Sequence, residues 1–380
     1  MKLLWLDLNS SYAHSSLALP ALHAQIADDT TIEWCIVSAT INENTGMVVS
    51  RIHKHRPDII AATNWLFNHE QLLHIISRAK ALLPHCCIVL GGPEFLGNNE
   101  AFLYKNKFVS GVFRGEGEEV FPQWLKVWNH SKETWKSITG LCYLDENGRY
   151  QDNGIARVMN FSQLVSPEKS CFFNWSKPFV QLETTRGCFN TCAFCVSGGE
   201  KPVRTIPLEA IRERLNDIHQ HGIKNVRVLD RTFNYNNKRA KELLDLFRQY
   251  PDICFHLETH PALLSEELKQ ELSVLPKGLL HLEAGIQSLK ESVLQQSHRI
   301  GKLSDALEGL KYLCSLKNME THADLIAGLP LYHLSEIFED VLGRIWCRRD
   351  STGIPKVTSR YRDAEKSRRT RHSILAPSPL

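Results

Sequence analysis

Short apolar segments alternate with amphipathic segments along most of the chain, and this alternation constrains the fold more than any other feature. In residues 1–130 the apolar segments are rich in Val, Ile and Leu and end in turn residues, as strands do. Between them lie segments with apolar residues at the helical period, such as Leu72, Ile76 and Ala79 in 70–83. The predicted strands are 2–8, 32–37, 58–63, 87–92 and 111–115. This order predicts a doubly wound parallel α/β sheet with helices on both faces.

The same alternation begins again in the second half of the chain. Before it, residues 139–158 predict a small antiparallel excursion that turns at Asn147 and Gly148, and residues 161–178 are typical of a linker. Five further strands are predicted at 179–184, 225–230, 253–259, 278–286 and 320–328. Five βα units predict a partial (β/α) barrel, a fold that carries its chemistry at the C-terminal rim. The predicted domains are therefore 1–135, 136–178, 179–340 and 341–380.

Composition excludes several classes of protein. No run of about 18 apolar residues occurs, so we expect no transmembrane helix and a cytoplasmic protein. The eleven cysteines are mostly scattered singly, which does not indicate a disulfide framework. The net charge is +3, and the first 340 residues carry −4, so nucleic acid is not indicated as a partner.

The last forty residues break the pattern. Residues 341–380 contain ten Lys and Arg against three Asp and Glu and have no apolar period. A solvated disordered tail and a basic arm for nucleic acid are two interpretations. We favour a third, in which a shifted reading frame has replaced the true continuation and left the barrel truncated after five strands. The edge of the fifth strand would then be uncovered.

Three cysteines lie within eight positions directly after the first barrel strand. Cys188, Cys192 and Cys195 have the spacing C-x₃-C-x₂-C. A structural zinc ion needs a fourth ligand, and Cys171 and His219 are the nearest candidates, at unconventional spacing. Three thiolates can instead hold three irons of a 4Fe–4S cluster, which leaves one iron open. A ligand with an amino and a carboxylate group, such as S-adenosylmethionine (SAM), would fill that position.

The motif, with the aromatic Phe194 before its last cysteine, resembles the signature of the radical SAM superfamily. The resemblance covers about residues 179–340. It implies a 4Fe–4S cluster on Cys188, Cys192 and Cys195, bound SAM, and an electron donor such as flavodoxin or ferredoxin. It also implies that the cluster cleaves SAM to a 5′-deoxyadenosyl radical.

Two later segments extend this resemblance. The segment "HLEAGIQS" resembles the fourth strand of the family, which implies that Glu283, Gln287 and Ser288 contact the cofactor and that Arg299 pairs with its carboxylate. The segment "DLIAGLP" resembles the fifth strand, where Gly328 lets the adenine approach the backbone.

One family element departs from the pattern. A Gly-Gly-Glu sequence ends the second strand in this family, but the "SGGE" of this chain, residues 197–200, lies only two residues after Cys195. We expect it to be loop. Asp230 and Arg231 occupy the end of the second strand instead.

The first half of the chain resembles the cobalamin-binding domain that often precedes a radical SAM barrel. The matching segments are "VLGGPEF" and "FRGEGEEVF", which contain Gly91, Gly92, Gly115 and Gly117. These glycines imply space for a large planar ligand at the C-terminal edge of the sheet. The first loop contains His14 without the D-x-H-x-x-G pattern, which implies cobalamin without a lower histidine ligand.

Together the two resemblances imply a cobalamin-dependent radical SAM enzyme, with methyl transfer to an unactivated carbon as one outcome. The alternatives are a radical SAM enzyme without cobalamin and a truncated, catalytically impaired chain that binds only the cluster. The substrate, a small molecule or a peptide, cannot be deduced from the sequence.

Overall fold

A computed structural model describes residues 1–13, 16–198, 200–343 and 356–358. The chain forms two compact units, Met1–Val180 and Gln181–Leu380. His14 and most of the predicted basic tail lie outside the described residues. Within the described residues, no helix combines the length and apolar character needed to cross a membrane.

The first unit alternates strands and helices in the predicted order. Its elements are β1 (Lys2–Asn9), α1 (Ala18–Ala24), β2 (Glu33–Thr40), α2 (Thr45–His55), β3 (Ile59–Thr63), α3 (His69–Leu82), β4 (Cys87–Gly91), α4 (Glu100–Lys105), β5 (Gly111–Phe113), α5 (Val120–Leu125), β6 (Leu141–Leu144) and β7 (Tyr150–Asp152). The sheet order is β2-β1-β3-β4-β5-β6-β7, and β1 to β5 pair in parallel. The doubly wound parallel sheet is therefore confirmed.

The predicted antiparallel excursion belongs to this same sheet. Strand β6 pairs antiparallel with β5, and β7 pairs antiparallel with β6 through a turn in which Gly148 has φ of +74°. The structure thus places the excursion in the first unit, and the division between the units falls between Val180 and Gln181.

Two apolar cores cover the two faces of this sheet. Alternate residues of β1 point to opposite faces, so Leu4 and Leu6 belong to one core while Leu3 and Trp5 belong to the other. All four side chains are buried, which explains why the strand is an almost continuous apolar run. A sheet that is covered on both faces offers ligands only its edges.

The second unit repeats the βα alternation around another parallel sheet. Its elements are β8 (Val180–Leu182), β9 (Thr185–Arg186), β10 (Arg204–Thr205), α6 (Leu208–Gln220), β11 (Asn225–Val228), α7 (Asn237–Phe247), β12 (Cys254–Thr259), α8 (Glu266–Ser273), β13 (Leu280–Gln287), α9 (Glu291–Gln296), α10 (Leu303–Ser315), β14 (Glu320–Ile326), α11 (Leu334–Gly343) and β15 (Lys356–Thr358). The sheet order is β15-β14-β13-β12-β11-β8. In β13 fully buried residues alternate with partly exposed ones, so one face of this sheet packs and the other stays open.

The prediction that the edge of the fifth barrel strand is uncovered is wrong. Residues 341–380 were expected to contain no strand and to leave the fifth barrel strand uncovered, but β15 pairs in parallel with β14 from Asp324 to Ile326. The unpaired N–H and C=O groups of an edge strand accept any extended segment, whatever its side-chain period. A strand of three residues is too short to produce a period that sequence reasoning could detect.

Candidate functional site

The three cysteines lie in a loop whose two ends are tied together. Strands β9 and β10 pair antiparallel at its base, and the backbone N–H of Cys188 donates to the carbonyl of Glu200 at 3.0 Å. Inside the loop, the N–H of Cys195 donates to the carbonyl of Cys192 at 3.1 Å. Cys188 and Cys192 are buried and Cys195 is partly exposed. The loop therefore has the closed backbone path that three converging thiols require.

Two glycines permit this path because no side chain would fit. A Cβ atom at Gly187, where φ is +90°, would lie 2.5 Å from the carbonyl oxygen of Glu200. A Cβ atom at Gly198 would lie 2.4 Å from the carbonyl oxygen of Cys192. Gly198 belongs to the "SGGE" segment, so the part of that segment that the structure describes is loop, as predicted, and it packs on the cysteine turn.

Hydrogen-bond donors and positive charge surround two of the thiols. Burial raises the pKa of Cys188, whereas a hydrogen bond from the Asn190 backbone, the charge of Arg231 and a hydrogen bond from Thr232 lower it. Burial also raises the pKa of Cys192, and the guanidinium of Arg299 acts in the opposite direction. Such donors stabilise sulfur as thiolate, which is the form that binds metal.

Asp230 and Arg231, at the end of β11, have different roles. Asp230 is buried and accepts backbone N–H groups of Thr184 at 2.8 Å and Thr185 at 2.9 Å. It joins two strand ends, and its carboxylate is used by the protein itself. Arg231 instead donates to the hydroxyl of Ser197 in the cysteine loop at 3.1 Å. Of the two, Arg231 is the residue directed towards the cysteine loop.

Of the predicted cofactor residues, Arg299 contacts the cysteine loop and Gln287 lies beside Arg299. A bulge between Gly285 and Gln287 gives Gln287 a φ of +73°. The Arg299 guanidinium donates to the carbonyl of Gly285 at 2.6 Å and lies 4.0 Å from the Cys192 sulfur. A Cβ atom at Gly285 would lie 2.5 Å from the Gln287 amide nitrogen and 3.2 Å from Arg299. Gln287, Arg299 and Cys192 therefore form one contiguous group.

The other predicted cofactor residues in this unit are more separate. Glu283 lies on β13 with an oxygen 3.5 Å from the Arg227 guanidinium. Ser288 is fully buried, and its hydroxyl accepts the Lys290 N–H at 3.1 Å, which is a local structural contact. Gly328 has φ of +87° just after β14, a conformation that favours glycine. Cofactor contact stays a prediction for Glu283, Ser288 and Gly328.

The residues around the cysteine loop fit an iron–sulfur cluster. Two of the three thiols are buried and lie beside polar donors, and Asn190 has a buried amide oxygen for which the described residues offer no partner. Among those residues, no three His, Cys, Asp or Glu side chains converge on one metal ion. The three thiolates of a cluster bind separate irons and do not need to meet at a point. His219, a candidate fourth zinc ligand, packs its ring against Tyr250 at 5.9 Å.

A second site is indicated at the edge of the first sheet. The strand order reverses between β1 and β3, and ligands of doubly wound sheets bind at the C-terminal edge at such a point. The Asn68 side chain joins the two strand ends, because its amide donates to the carbonyls of Leu8 at 2.9 Å and Thr63 at 3.1 Å. The loop after β3 is therefore held firmly in place beside the crevice.

This edge exposes apolar side chains that have no core to join. Leu66 is 61% exposed, Phe67 is partly exposed and stacks on Trp65, and Tyr12 is exposed in the loop after β1. The buried amide oxygen of Asn64 has no hydrogen-bond partner among the described residues. An apolar platform with unused polar groups beside it fits the large macrocycle of cobalamin.

The four predicted glycines of this unit differ in what surrounds them. A Cβ atom at Gly92 would lie 2.6 Å from the Asn64 carbonyl oxygen, and one at Gly115 would lie 2.2 Å from that of Ala156. One at Gly117 would lie 2.9 Å from a methyl group of Leu22. At Gly91 the nearest atom is the Phe113 Cβ at 4.0 Å. Packing against backbone atoms thus accounts for Gly92 and Gly115. The neighbour of Gly117 is the movable end of a leucine side chain, and a Cβ atom at Gly91 would make one ordinary van der Waals contact.

Sequence reasoning missed two residues that support the cysteine loop. The carbonyl of Ser297 accepts the Ala193 N–H at 3.0 Å, and buried His260 hydrogen-bonds the carbonyl of Ile300 at 3.0 Å. Neither residue stands in a motif. The only available signal was the nearby Arg299, which the family resemblance had identified.

Comparisons with known proteins match both units. The model of the radical SAM superfamily matches residues 182–341, and the model of the B12 binding domain matches residues 8–125. A methyltransferase of Pyrococcus horikoshii, itself described as uncharacterized, is 26% identical over 73% of this chain and 62% of its own length. Cytidylyl-2-hydroxyethylphosphonate methyltransferase of Streptomyces wedmorensis is 21% identical over 88% of this chain and 66% of its own length. The chain thus spans less than two thirds of the length of these two relatives.

Solved structures share the fold. The radical SAM methyltransferase TsrM from Kitasatospora setae superposes with a TM-score of 0.68 at 15% identity, over 88% of this chain and 69% of TsrM. The cobalamin-dependent SAM radical enzyme OxsB superposes with a TM-score of 0.72 at 17% identity, over 90% of this chain and 51% of OxsB.

Proposed function

We propose that this protein is a cobalamin-dependent radical SAM enzyme that generates a 5′-deoxyadenosyl radical and methylates an unactivated carbon. The proposal follows from the presence of a B12-binding domain and a radical SAM domain in one chain. The observation that carries the proposal is the closed loop with three thiols, two of which are buried and lie beside polar donors. The methyltransferases among its relatives support the outcome of the reaction.

The cysteine loop and the edge of the first sheet would bind different cofactors. When bound, the cluster would provide one electron for the cleavage of SAM, and cobalamin would carry the methyl group. Cys188, Cys192 and Cys195 would hold the cluster, and the hydrogen bonds from Asn190 and Thr232 to the first sulfur favour its thiolate form against the effect of burial. Burial of two of the thiols keeps water from their sulfurs.

The remaining cofactor contacts follow from the group beside Cys192. Gln287, on its bulge, and Glu283, two positions before Gly285, lie on the partly exposed face of β13 and would orient SAM. We propose a small molecule or a peptide as the substrate. We also propose that a small electron carrier of the flavodoxin or ferredoxin type reduces the cluster.

A radical SAM enzyme without cobalamin is the second candidate. One observation favours it: Gly92 and Gly115 are required by packing against backbone atoms of the protein, so they do not by themselves indicate a ligand. The two candidates differ in whether the chain binds cobalamin, which can be measured directly.

The full chain is expected to bind hydroxocobalamin with no imidazole below the cobalt. Electron paramagnetic resonance of the Co(II) state should lack nitrogen coupling from a histidine, because the first loop lacks the D-x-H-x-x-G pattern. The variant His14→Ala should bind equally well and give the same spectrum. Imidazole coupling that disappears in this variant would contradict the predicted coordination, and an absence of binding would favour the second candidate.

A further inference from the structure

A five-residue segment between α9 and α10 holds the cysteine loop from outside. Its backbone is unusual, because His298 has φ of +55° and Gly301 has φ of +100°. The carbonyl of Ser297 accepts the N–H of Ala193, which stands between the second and third cysteines. We call residues 297–301 the clamp segment.

Arg299, at the centre of the clamp segment, lies against Cys192. One guanidinium nitrogen is 4.0 Å from the Cys192 sulfur, and another donates to the carbonyl of Gly285 at 2.6 Å. No Asp or Glu forms an ion pair with Arg299 in the part of the chain that the structure describes. The Cys192 thiol, 4.0 Å away, is a group that becomes an anion when it binds iron.

A guanidinium in such a place needs a negative charge close by. Removing a cation from water is costly unless an anion compensates for it. Arg299 is partly buried, so its side chain has lost part of its contact with water. Until SAM binds, whose carboxylate the family resemblance pairs with the same guanidinium, the anion that the geometry offers is the thiolate of Cys192.

His260 fixes the backbone next to Arg299. Its Nε2 lies 3.0 Å from the carbonyl oxygen of Ile300, which can only accept, so Nε2 carries the proton and donates. Two hydrogen bonds of 2.9 Å between His260 and Asn234 hold the histidine backbone in turn. Burial lowers the pKa of His260 to about 4, so the ring stays neutral and adds no second positive charge.

We propose that Arg299 compensates the charge of Cys192 and thereby raises the reduction potential of the cluster, and that His260 is a positioning residue for Arg299. Reduction adds one electron, and a positive charge close to a ligand sulfur stabilises the more negative state. This inference rests on the proposed function only in requiring that a cluster is bound.

The test is a redox titration of the reconstituted full chain, followed by electron paramagnetic resonance of the reduced cluster. Arg299→Gln removes the charge and should shift the midpoint potential to a more negative value. Arg299→Lys keeps the charge and should shift it less. Arg248→Gln is the matched control, because Arg248 pairs with Asp245 and Glu271 on the helical side of the same unit, and it should leave the potential unchanged.

The positioning role of His260 has its own pair of variants. His260→Leu removes the donor to Ile300 and should shift the potential in the same direction as Arg299→Gln. His260→Gln keeps an N–H donor and should restore part of the wild-type value. A structural role alone would reduce the cluster content without moving the potential of the clusters that remain.

The possible results separate this inference from the proposed function. Equal potentials for wild type and Arg299→Gln, with iron bound in both, would overturn the inference and leave the proposed function intact. Loss of iron in both Arg299→Gln and Arg299→Lys would also overturn it, because the retained charge would then have no effect. A wild-type chain without a cluster would overturn both.

Discussion

Replacing Cys188, Cys192 or Cys195 by Ala is expected to abolish the brown 4Fe–4S chromophore and to lower bound iron from about four atoms per chain to almost none. Each cysteine would bind a different iron, so the loss of any one opens the cluster to solvent. Iron and sulfide analysis after anaerobic reconstitution measures the effect.

Two other cysteines provide the controls for this experiment. Cys171 is exposed, and Cys254 lies at the start of β12 away from the motif. Cys171→Ala and Cys254→Ala should therefore keep the full iron content. If the triple variant at 188, 192 and 195 kept the iron content and the spectrum of the wild type, the cluster assignment would be wrong. Iron loss in Cys171→Ala would instead point to a fourth protein ligand.

Gly92→Ala is expected to destabilise the chain by at least about 2 kcal/mol in urea unfolding. The Cβ would lie 2.6 Å from the Asn64 carbonyl oxygen and 2.9 Å from the Thr63 methyl group, in a backbone with φ of +109°. Since the loop after β3 is joined to the strand ends, it cannot yield easily. A change in the free energy of unfolding of less than about 0.5 kcal/mol, the size typical of surface sites, would show that the backbone at this edge shifts easily to accommodate the Cβ.

The neighbouring Gly91 separates packing from ligand binding. A Cβ atom at Gly91 would lie 4.0 Å from its nearest neighbour, the Phe113 Cβ, so we expect the fold to tolerate Gly91→Val and the added methyl groups to narrow the ligand space at the edge of the sheet. We expect hydroxocobalamin binding to weaken by about tenfold or more, which corresponds to ~1.4 kcal/mol. Gly97→Val, where no atom lies within 4 Å of the new Cβ, is the matched control. Unchanged binding in Gly91→Val would place cobalamin elsewhere or exclude it.

Features that depend on local sequence could be predicted. The helical and strand periods identified the βα units because each period reflects which face of one element is buried. The cysteine loop was recognisable because Cys188, Cys192 and Cys195 lie within a single turn of chain. The sequence also predicted that the "SGGE" segment is loop, because this segment is too close to Cys195 to end a strand.

Features that depend on distant contacts could not be predicted. Arg299 meets Cys192 across 107 positions, and Asp230 meets Thr184 across 46. A family resemblance identified Arg299 as a cofactor partner, but its contact with the sulfur depends on the clamp segment. The glycines at 92 and 115 predict space for a ligand, and the sequence does not reveal that each of them also lets two backbone segments meet. Strand β15 could not be predicted, because its pairing depends on the free N–H and C=O groups of β14 and not on a period in its own sequence.

The central claim is that the cysteine loop holds a cluster that cleaves SAM reductively. The most direct test incubates the reconstituted full chain with SAM and dithionite without oxygen and quantifies 5′-deoxyadenosine and methionine by mass spectrometry. We expect 5′-deoxyadenosine to form with the wild type and to be absent with Cys192→Ala. A wild-type chain with about four irons and a reducible cluster that forms no 5′-deoxyadenosine would contradict it.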